Sequence, residues 1–224
     1  MGKSYPNESK EYRKARDALL KEEQKLVDTV KSVAAKRRKL PLGGELKEDY
    51  VFEWATDGKL GKKVKLSQLF GDKKTLLFYS MMYGPGWGDT ACPSCTSLVD
   101  GFDRAVIPIN LTDVSFAVVA KAPADRVNAW AKRRGWTQMP LVSGLHNTYQ
   151  TDYHCQVGSD DDQWPMMQVF VKRNGRIYHF WGSDLASNQV DMVWPYWNLM
   201  DMTPQGRPDG GAPPQDYVCE FLGV

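Results

Sequence analysis

Apolar residues along this chain fall into two spacings, and the switch between them lays out its elements. From Glu8 to Lys39 there is neither Pro nor Gly, and Tyr12, Leu19, Leu26 and Val33 recur every seven residues, flanked by Leu20, Val27, Val30 and Ala34. That spacing predicts one long amphipathic helix with a single apolar stripe. Arg16, Glu22 and Glu23 interrupt the seam, which argues against a regular coiled coil. Two partners suit such a stripe, the helix's own domain or a second subunit. Pro41, Gly43 and Gly44 end the helix and begin a linker.

The later apolar runs are short and rich in β-branched and aromatic residues. They predict strands at Tyr50–Trp54, Thr75–Met82, Val114–Ala120, Met139–Ser143, Met166–Val171 and Arg176–Trp181. Val64 to Phe70 leads into the second of these. Asp57-Gly58 and Gly61 mark a turn, and Asn174-Gly175 is a strong hairpin signal. Helical stretches fall at Thr96–Val106, from Pro123 to Arg134 before Gly135, and at about 184–200 with Pro195 interrupting. Residues 144–165 are polar and without period. A strand–helix–strand passage around 75–120 implies a parallel, right-handed crossover.

Composition narrows the class. The chain has 224 residues, 42% hydrophobic and 25% charged, enough for one domain with a real core plus an appendage. Net charge is only +2, with residues 1–48 at +5 and the remainder at −3. The basic cluster Lys36–Lys39 reads as a solvated helix C-terminus, where cations complement the dipole, and not as a nucleic-acid patch. No apolar run reaches the ~18 residues of a membrane span. The charged N-terminus lacks a signal-peptide core, so a cytoplasmic location is the expectation. The domain reading is an N-terminal helical arm and linker over 1–47, a main domain over 48–204, and a Pro/Gly-rich tail over 205–224 that is loosely held.

The chemistry centres on Cys92-Pro93-Ser94-Cys95. The pair follows the strand 75–82 and a Gly/Pro-rich loop, Gly84–Ala91, and it opens a helix. Strand, loop, Cys-X-X-Cys, helix is an arrangement in which two thiols do redox chemistry. At a helix N-terminus the unpaired N–H groups and the dipole stabilise a thiolate, and Pro93 suits the first helical position. A dipole effect of roughly 0.3–2 kcal/mol would bring a thiol from ~8.5 to near 7. Cys92 is therefore the expected nucleophile. Cys95, one turn in and less exposed, is the expected resolving thiol. Zinc would need further ligands, and adjacent His154-Cys155 is awkward geometry for it; neither metal nor cofactor is expected. Cys155 and Cys219 read as bystanders, with a second resolving role as the alternative. Tyr83 and Trp87 are candidate walls of the pocket over Cys92, and Asp89 a candidate proton acceptor. His146, His154 and His179 stand at unrelated positions.

The order β, α, β, α, hairpin, α is similar to the thioredoxin arrangement, an α/β/α three-layer sandwich, here with a long N-terminal helix added. Trp164-Pro165 directly precedes the hairpin strand, where thioredoxin-like proteins hold a cis-proline against the cysteine pair; an ordinary trans-proline opening a strand is the alternative. Asp57-Gly58, Val64–Ser67 and Leu76–Phe78 resemble peroxiredoxin-like members of that superfamily.

A more specific resemblance covers nearly the whole chain. Arg37-Arg38 with Leu40-Pro41, Tyr50–Glu53, Leu66–Gly71, Met82–Trp87, Cys92–Cys95, Asp113–Phe116, Lys121–Pro123, Arg133–Trp136, Val142-Ser143 and Asp201–Arg207 resemble a thioredoxin-like family known as domain of unknown function 899, described as predicted dithiol-disulfide oxidoreductases. The resemblance implies a thioredoxin-like fold and thiol redox chemistry without naming a substrate. Gly144–Gln156 departs from the family pattern, with Tyr149 and Tyr153 in place of its aromatics. The leading expectation is thus a thiol-disulfide oxidoreductase acting on a thiol- or disulfide-containing protein or small molecule. A peroxiredoxin-like thiol peroxidase is the first alternative; Thr90 lies two residues before Cys92, one short of the usual peroxiredoxin spacing. The second is a non-catalytic binding or assembly module that dimerises through the N-terminal helix. Nucleic acid and membrane are not expected partners.

Overall fold

The computed structural model describes residues 3–183, 191–214 and 217. The chain forms two compact units, Met1–Pro41 and Leu42–Val224. The first is one helix, α1 (Lys10–Arg37), capped by the Ser9 side chain, which accepts from the Tyr12 N–H, and closed by Lys36 and Arg37 in its last turn. No residue of α1 is buried, so its apolar stripe stays exposed along its length.

The second unit is built on a seven-stranded sheet in the order β2-β1-β5-β4-β3-β6-β7. Its elements are β1 (Val51–Trp54), β2 (Lys63–Lys65), α2 (Leu66–Leu69), β3 (Thr75–Ser80), α3 (Pro93–Asn110), β4 (Val114–Ala120), α4 (Ala124–Arg134), β5 (Leu141–Ser143), α5 (Tyr149–Asp152), β6 (Met166–Arg173), β7 (Arg176–Gly182) and α6 (Pro195–Met200). β3, β4 and β5 run parallel, Leu77 beside Phe116 and Val119 beside Val142, while β6 and β7 form an antiparallel hairpin against β3. The hairpin turns at Asn174 and Gly175, whose φ of 50° and 77° are the left-handed pair that this tight turn demands.

Alternation along β3 and β4 sends side chains to two cores. On one face Tyr79, Met81, Phe116 and Val118 pack under α3 and α4 with Leu98, Val99, Phe102 and Trp130. On the other, Leu76, Phe78, Ala117 and Val119 meet Phe52, Phe70, Tyr149 and Phe170. The sandwich expected from the sequence is therefore present, sheet in the middle and helices on both sides.

Boundaries moved where side-chain contacts outweigh local preference. The helix expected from Thr96 begins at Pro93 and runs on to Asn110, because Cys92 itself caps it. Val64–Phe70 is a three-residue strand followed by the short helix α2. The aperiodic stretch after β5 hides the short helix α5, whose Tyr149 and Gln150 are buried. The helical segment expected at about 184–200 is seen as α6 after a 3-10 turn at Asp191–Val193; its part over 184–190 lies outside the described residues.

Candidate functional site

The sheet delivers the two cysteines to one end. β3 ends at Ser80, and the loop that follows doubles back so that the Cys92 N–H donates to the Met82 carbonyl at 3.2 Å. The Gly84–Gly88 loop is held from two sides. Asp161 accepts from the Gly86 N–H at 2.7 Å and, through its carbonyl, from the Trp87 indole at 3.0 Å. Arg126, from α4, donates to the carbonyls of Pro85 and Gly88. A side chain at Gly84 would collide with Asp161 and Trp87, and one at Gly86 with Asp161, so glycine is needed there for close approach.

Cys92 is the N-cap of α3 and Pro93 its first residue. The Cys92 Sγ accepts from the Cys95 N–H at 3.5 Å, as a Ser or Asp cap would. Both thiols are free and approach to 3.6 Å. Cys92 is 8% exposed and Cys95 1%. This small difference in position makes a large one in acidity. The hydrogen bond from the Cys95 thiol is the first influence on Cys92; the N–H groups of Cys95 and Ser94 reinforce it, and against burial they bring Cys92 down to about 7. Burial, followed by the hydrogen bond it gives Cys92, pushes Cys95 well up. One thiol is poised as an anion while its neighbour keeps its proton.

Two donors surround the Cys95 sulfur. The Met82 N–H reaches it at 3.4 Å. The Tyr79 hydroxyl lies beside it, fully buried and without a partner of good geometry in the reduced pair. Cys95 and the burial around it hold Tyr79 protonated, so it is a donor and not a base. Among the described residues the leading influences on the two thiols are each other, burial, the Tyr79 hydroxyl and backbone N–H groups.

A cavity of about 230 Å³ adjoins the pair. Its walls are Ser94, Cys95 and Leu98 of α3, Met82, Pro165 at the start of β6, Trp194 and Trp197, and the backbone of Gly210–Ala212. α6 is pinned to α3 by the Trp194 indole donating to Ser97 Oγ at 3.1 Å, and the tail is pinned to α6 by the Trp197 indole donating to the Gly211 carbonyl. The two indoles stand 4.4 Å apart. Farther along, Tyr217 is bonded to Asp100, and Arg134 lies over its ring. The part of the tail over 210–212 is therefore a cavity wall and not a loose end.

A larger cavity of about 340 Å³ lies between Asp100, Asp103, Arg104, Arg134, Trp136 and Tyr217, and none of these described lining residues is a thiol. Several of its polar groups pair with each other and with the backbone: Arg134 and the Trp136 indole with Asp100, and Asp103 with the N–H groups of Gln138 and Met139. The smaller cavity is the one lined by Cys95.

Several sequence expectations need correction here. Tyr83 is buried in the core, its hydroxyl on the Gly88 carbonyl and its ring near Trp130, and it is absent from the wall of the cavity beside the pair. Trp87 is taken up by Asp161 and is likewise absent from the cavity wall. Trp164 is 49% exposed and points elsewhere, while Pro165 does face the cavity. The Trp164–Pro165 bond is trans, as are all peptide bonds among the described residues. Asp89 is exposed and is not among the groups acting on Cys92. Cys155 interacts with Ser80, and Cys95 with its strand neighbour Tyr79; neighbours on a strand face opposite ways, so the sheet separates the two thiols. Burial pushes Cys155 up to about 12. Cys219 lies outside the described residues. Among those residues no group of three or more His, Cys, Asp or Glu gathers to hold a metal ion, and no helix is long and apolar enough to cross a membrane.

A sheet with parallel β3-β4-β5, an antiparallel hairpin at β6-β7 and a cysteine capping the helix after β3 is a thioredoxin-like fold. Solved structures agree. The reduced 2-Cys peroxiredoxin of Plasmodium vivax matches at 18% identity over 72% of this chain and 96% of that one, with a TM-score of 0.51. Peroxiredoxin Q of Xanthomonas campestris matches at 11% identity, 69% and 94% coverage and a TM-score of 0.51. Thioredoxin peroxidase I of Plasmodium yoelii matches at 15% identity, 78% and 99% coverage and a TM-score of 0.50. At such identities the likeness is one of fold. The chain belongs to the family described as bacterial protein of unknown function (DUF899), whose model matches residues 1–218. No curated protein matches it.

Proposed function

We propose that this protein is a two-thiol oxidoreductase in which Cys92 attacks and Cys95 resolves. The observation that carries this reading is the N-cap position of Cys92: a nearly buried thiol lowered to about 7 by donors from Cys95 and Ser94, with a second free thiol 3.6 Å away. Cys92 thiolate attacks one sulfur of a disulfide R–S–S–R, forming a Cys92–S–R bond and releasing RS⁻. Cys95 then gives up its proton and attacks the Cys92 sulfur, forming the Cys92–Cys95 disulfide and releasing the second RS⁻. Two electrons pass from the dithiol to the substrate, and an external dithiol restores the pair. The Met82 N–H, joined by the Tyr79 hydroxyl as it turns toward the sulfur, stabilises the Cys95 thiolate at the moment it forms.

The peroxidase reading has the fold in its favour, since the solved structures above are peroxiredoxins by name. Against it, among the described residues the influences on Cys92 come from Cys95, burial and the Ser94 N–H, while Arg126 and Arg133 are engaged with the carbonyls of Pro85, Gly88 and Asp89. The exposed stripe of α1 is proposed to pair with a second copy of the chain.

Turnover of a dithiol-coupled disulfide assay with the Cys92→Ser and Cys95→Ser proteins tests the division of roles. Cys92→Ser is expected to abolish reaction. Cys95→Ser is expected to stop after one adduct. Turnover unchanged in both would remove these roles, and a wild type no faster than the uncatalysed background would leave the non-catalytic module.

A further inference from the structure

We propose that the cavity beside the dithiol is a substrate subsite that takes the apolar arm of an uncharged, low-molecular-weight disulfide. This rests on the thiol-exchange reading and names its substrate class. The cavity meets the dithiol at Cys95, which with Ser94 forms part of its wall, and Cys92 lies 3.6 Å from Cys95 without lining the cavity itself. Its other side chains are Met82, Leu98, Pro165, Trp194, Trp197 and Ala212, with glycine backbone completing it; among the described residues no charged side chain lines it. A ligand that brought carboxylates or an ammonium here would lose their hydration without an ionic partner. An aromatic or branched aliphatic arm loses nothing polar and gains contact with two indoles and a thioether.

Size points the same way. At about 230 Å³ the cavity is smaller than the ~300–1,000 Å³ sites that enclose drug-sized ligands. It therefore suits one arm of about ten non-hydrogen atoms and not an extended peptide. The tail supplies one wall, with Gly211 tied to Trp197 and Gly210–Ala212 lining the cavity. With its arm along the first turn of α3, the substrate's disulfide lies at Cys92. The RS⁻ group leaves first, the arm stays attached to Cys92, and Cys95 attack releases it as the second thiolate. External dithiol reduces the Cys92–Cys95 bond afterwards.

Rates of Cys92–Cys95 disulfide formation in the full-length reduced protein test this, followed by quenched-flow intact mass. The probes are dibenzyl disulfide, bis(2-hydroxyethyl) disulfide, oxidised glutathione and insulin, each rate divided by that of free dithiothreitol with the same probe. The normalised benzyl rate is expected to exceed those of the other three by about ten-fold. Ala212→Phe, which fills the cavity from its tail wall, is expected to lower the benzyl-to-hydroxyethyl ratio by about ten-fold. Dibenzyl sulfide, which cannot react, is expected to quench tryptophan fluorescence saturably in the wild-type protein. Equal normalised rates, a faster rate with glutathione or insulin, an unchanged ratio in a folded Ala212→Phe protein, or no saturable quenching would each overturn the subsite. If no probe yields the Cys92–Cys95 disulfide, the exchange reading fails instead, and the sulfide titration still decides the cavity.

Discussion

Two cysteines one helical turn apart differ in acidity because one caps the helix and the other lies inside it. With Cys92 at about 7, its thiolate fraction is about a tenth at pH 6 and about nine tenths at pH 8. Alkylation of Cys92 should therefore rise with pH through a midpoint near 7, and iodoacetamide labelling read by peptide mass checks it. Cys95→Ala removes the leading influence on Cys92, so that midpoint should move up toward the ordinary thiol range. Tyr79→Phe withdraws a donor from the Cys95 thiolate. Closure of the Cys92–Cys95 bond should slow by about 3- to 10-fold, as expected for one hydrogen bond of about 0.5–1.5 kcal/mol. Its pH dependence should also shift upward, which a packing defect alone would not cause. At this scale the sequence was informative about the pair and silent about its surroundings. Cys92 and Cys95 were legible as a close pair because both stand within four consecutive residues at a helix start. Tyr79 was legible only as core, since alternation along β3 says which face a side chain takes and not what its hydroxyl meets.

Elements with a clean period could be read, and those held by single contacts could not. β4 falls on Val114–Ala120 as the apolar run predicts, and the β6-β7 hairpin turns at Asn174-Gly175. By contrast, the Gly84–Gly88 loop depends on Asp161, over seventy residues away and inside an aperiodic polar stretch. Its glycines announced a loop, but nothing announced the carboxylate. Tyr83 and Trp87 were misplaced for the same reason, because an aromatic in a glycine-rich loop can turn inward or outward and Arg126 and Asp161 decide which. Gly84→Ala forces a methyl group against Asp161 and Trp87. It should cost about 1–3 kcal/mol and lower the thermal midpoint, which calorimetry beside the wild type would show. An unchanged midpoint would mean that the loop yields without loss.

The whole molecule combines a thioredoxin-like sheet with two additions, the arm α1 and the tail that crosses α6. The tail's composition, rich in Pro and Gly, suggested a loose end, yet two indole N–H groups, Trp194 to Ser97 and Trp197 to Gly211, hold it and α6 beside the dithiol. Indole donors seek buried acceptors, so the closely spaced tryptophans around Pro195 were the available signal. The arm carries a stripe of exposed Leu19, Leu26, Val30 and Val33. Replacing Leu19 and Leu26 together with Glu should shift light-scattering mass from dimer to monomer, and equal masses would remove the pairing proposed for α1.

The central claim is the order in which the two thiols act. Reduced protein, treated with one equivalent of a disulfide probe and quenched in acid, answers it by intact mass and peptide mapping. The wild type should lose two hydrogens and carry no adduct, and Cys95→Ser should carry one probe arm, located on Cys92. An adduct on Cys95 in the Cys92→Ser protein at an equal rate, or none on Cys92, would contradict the account.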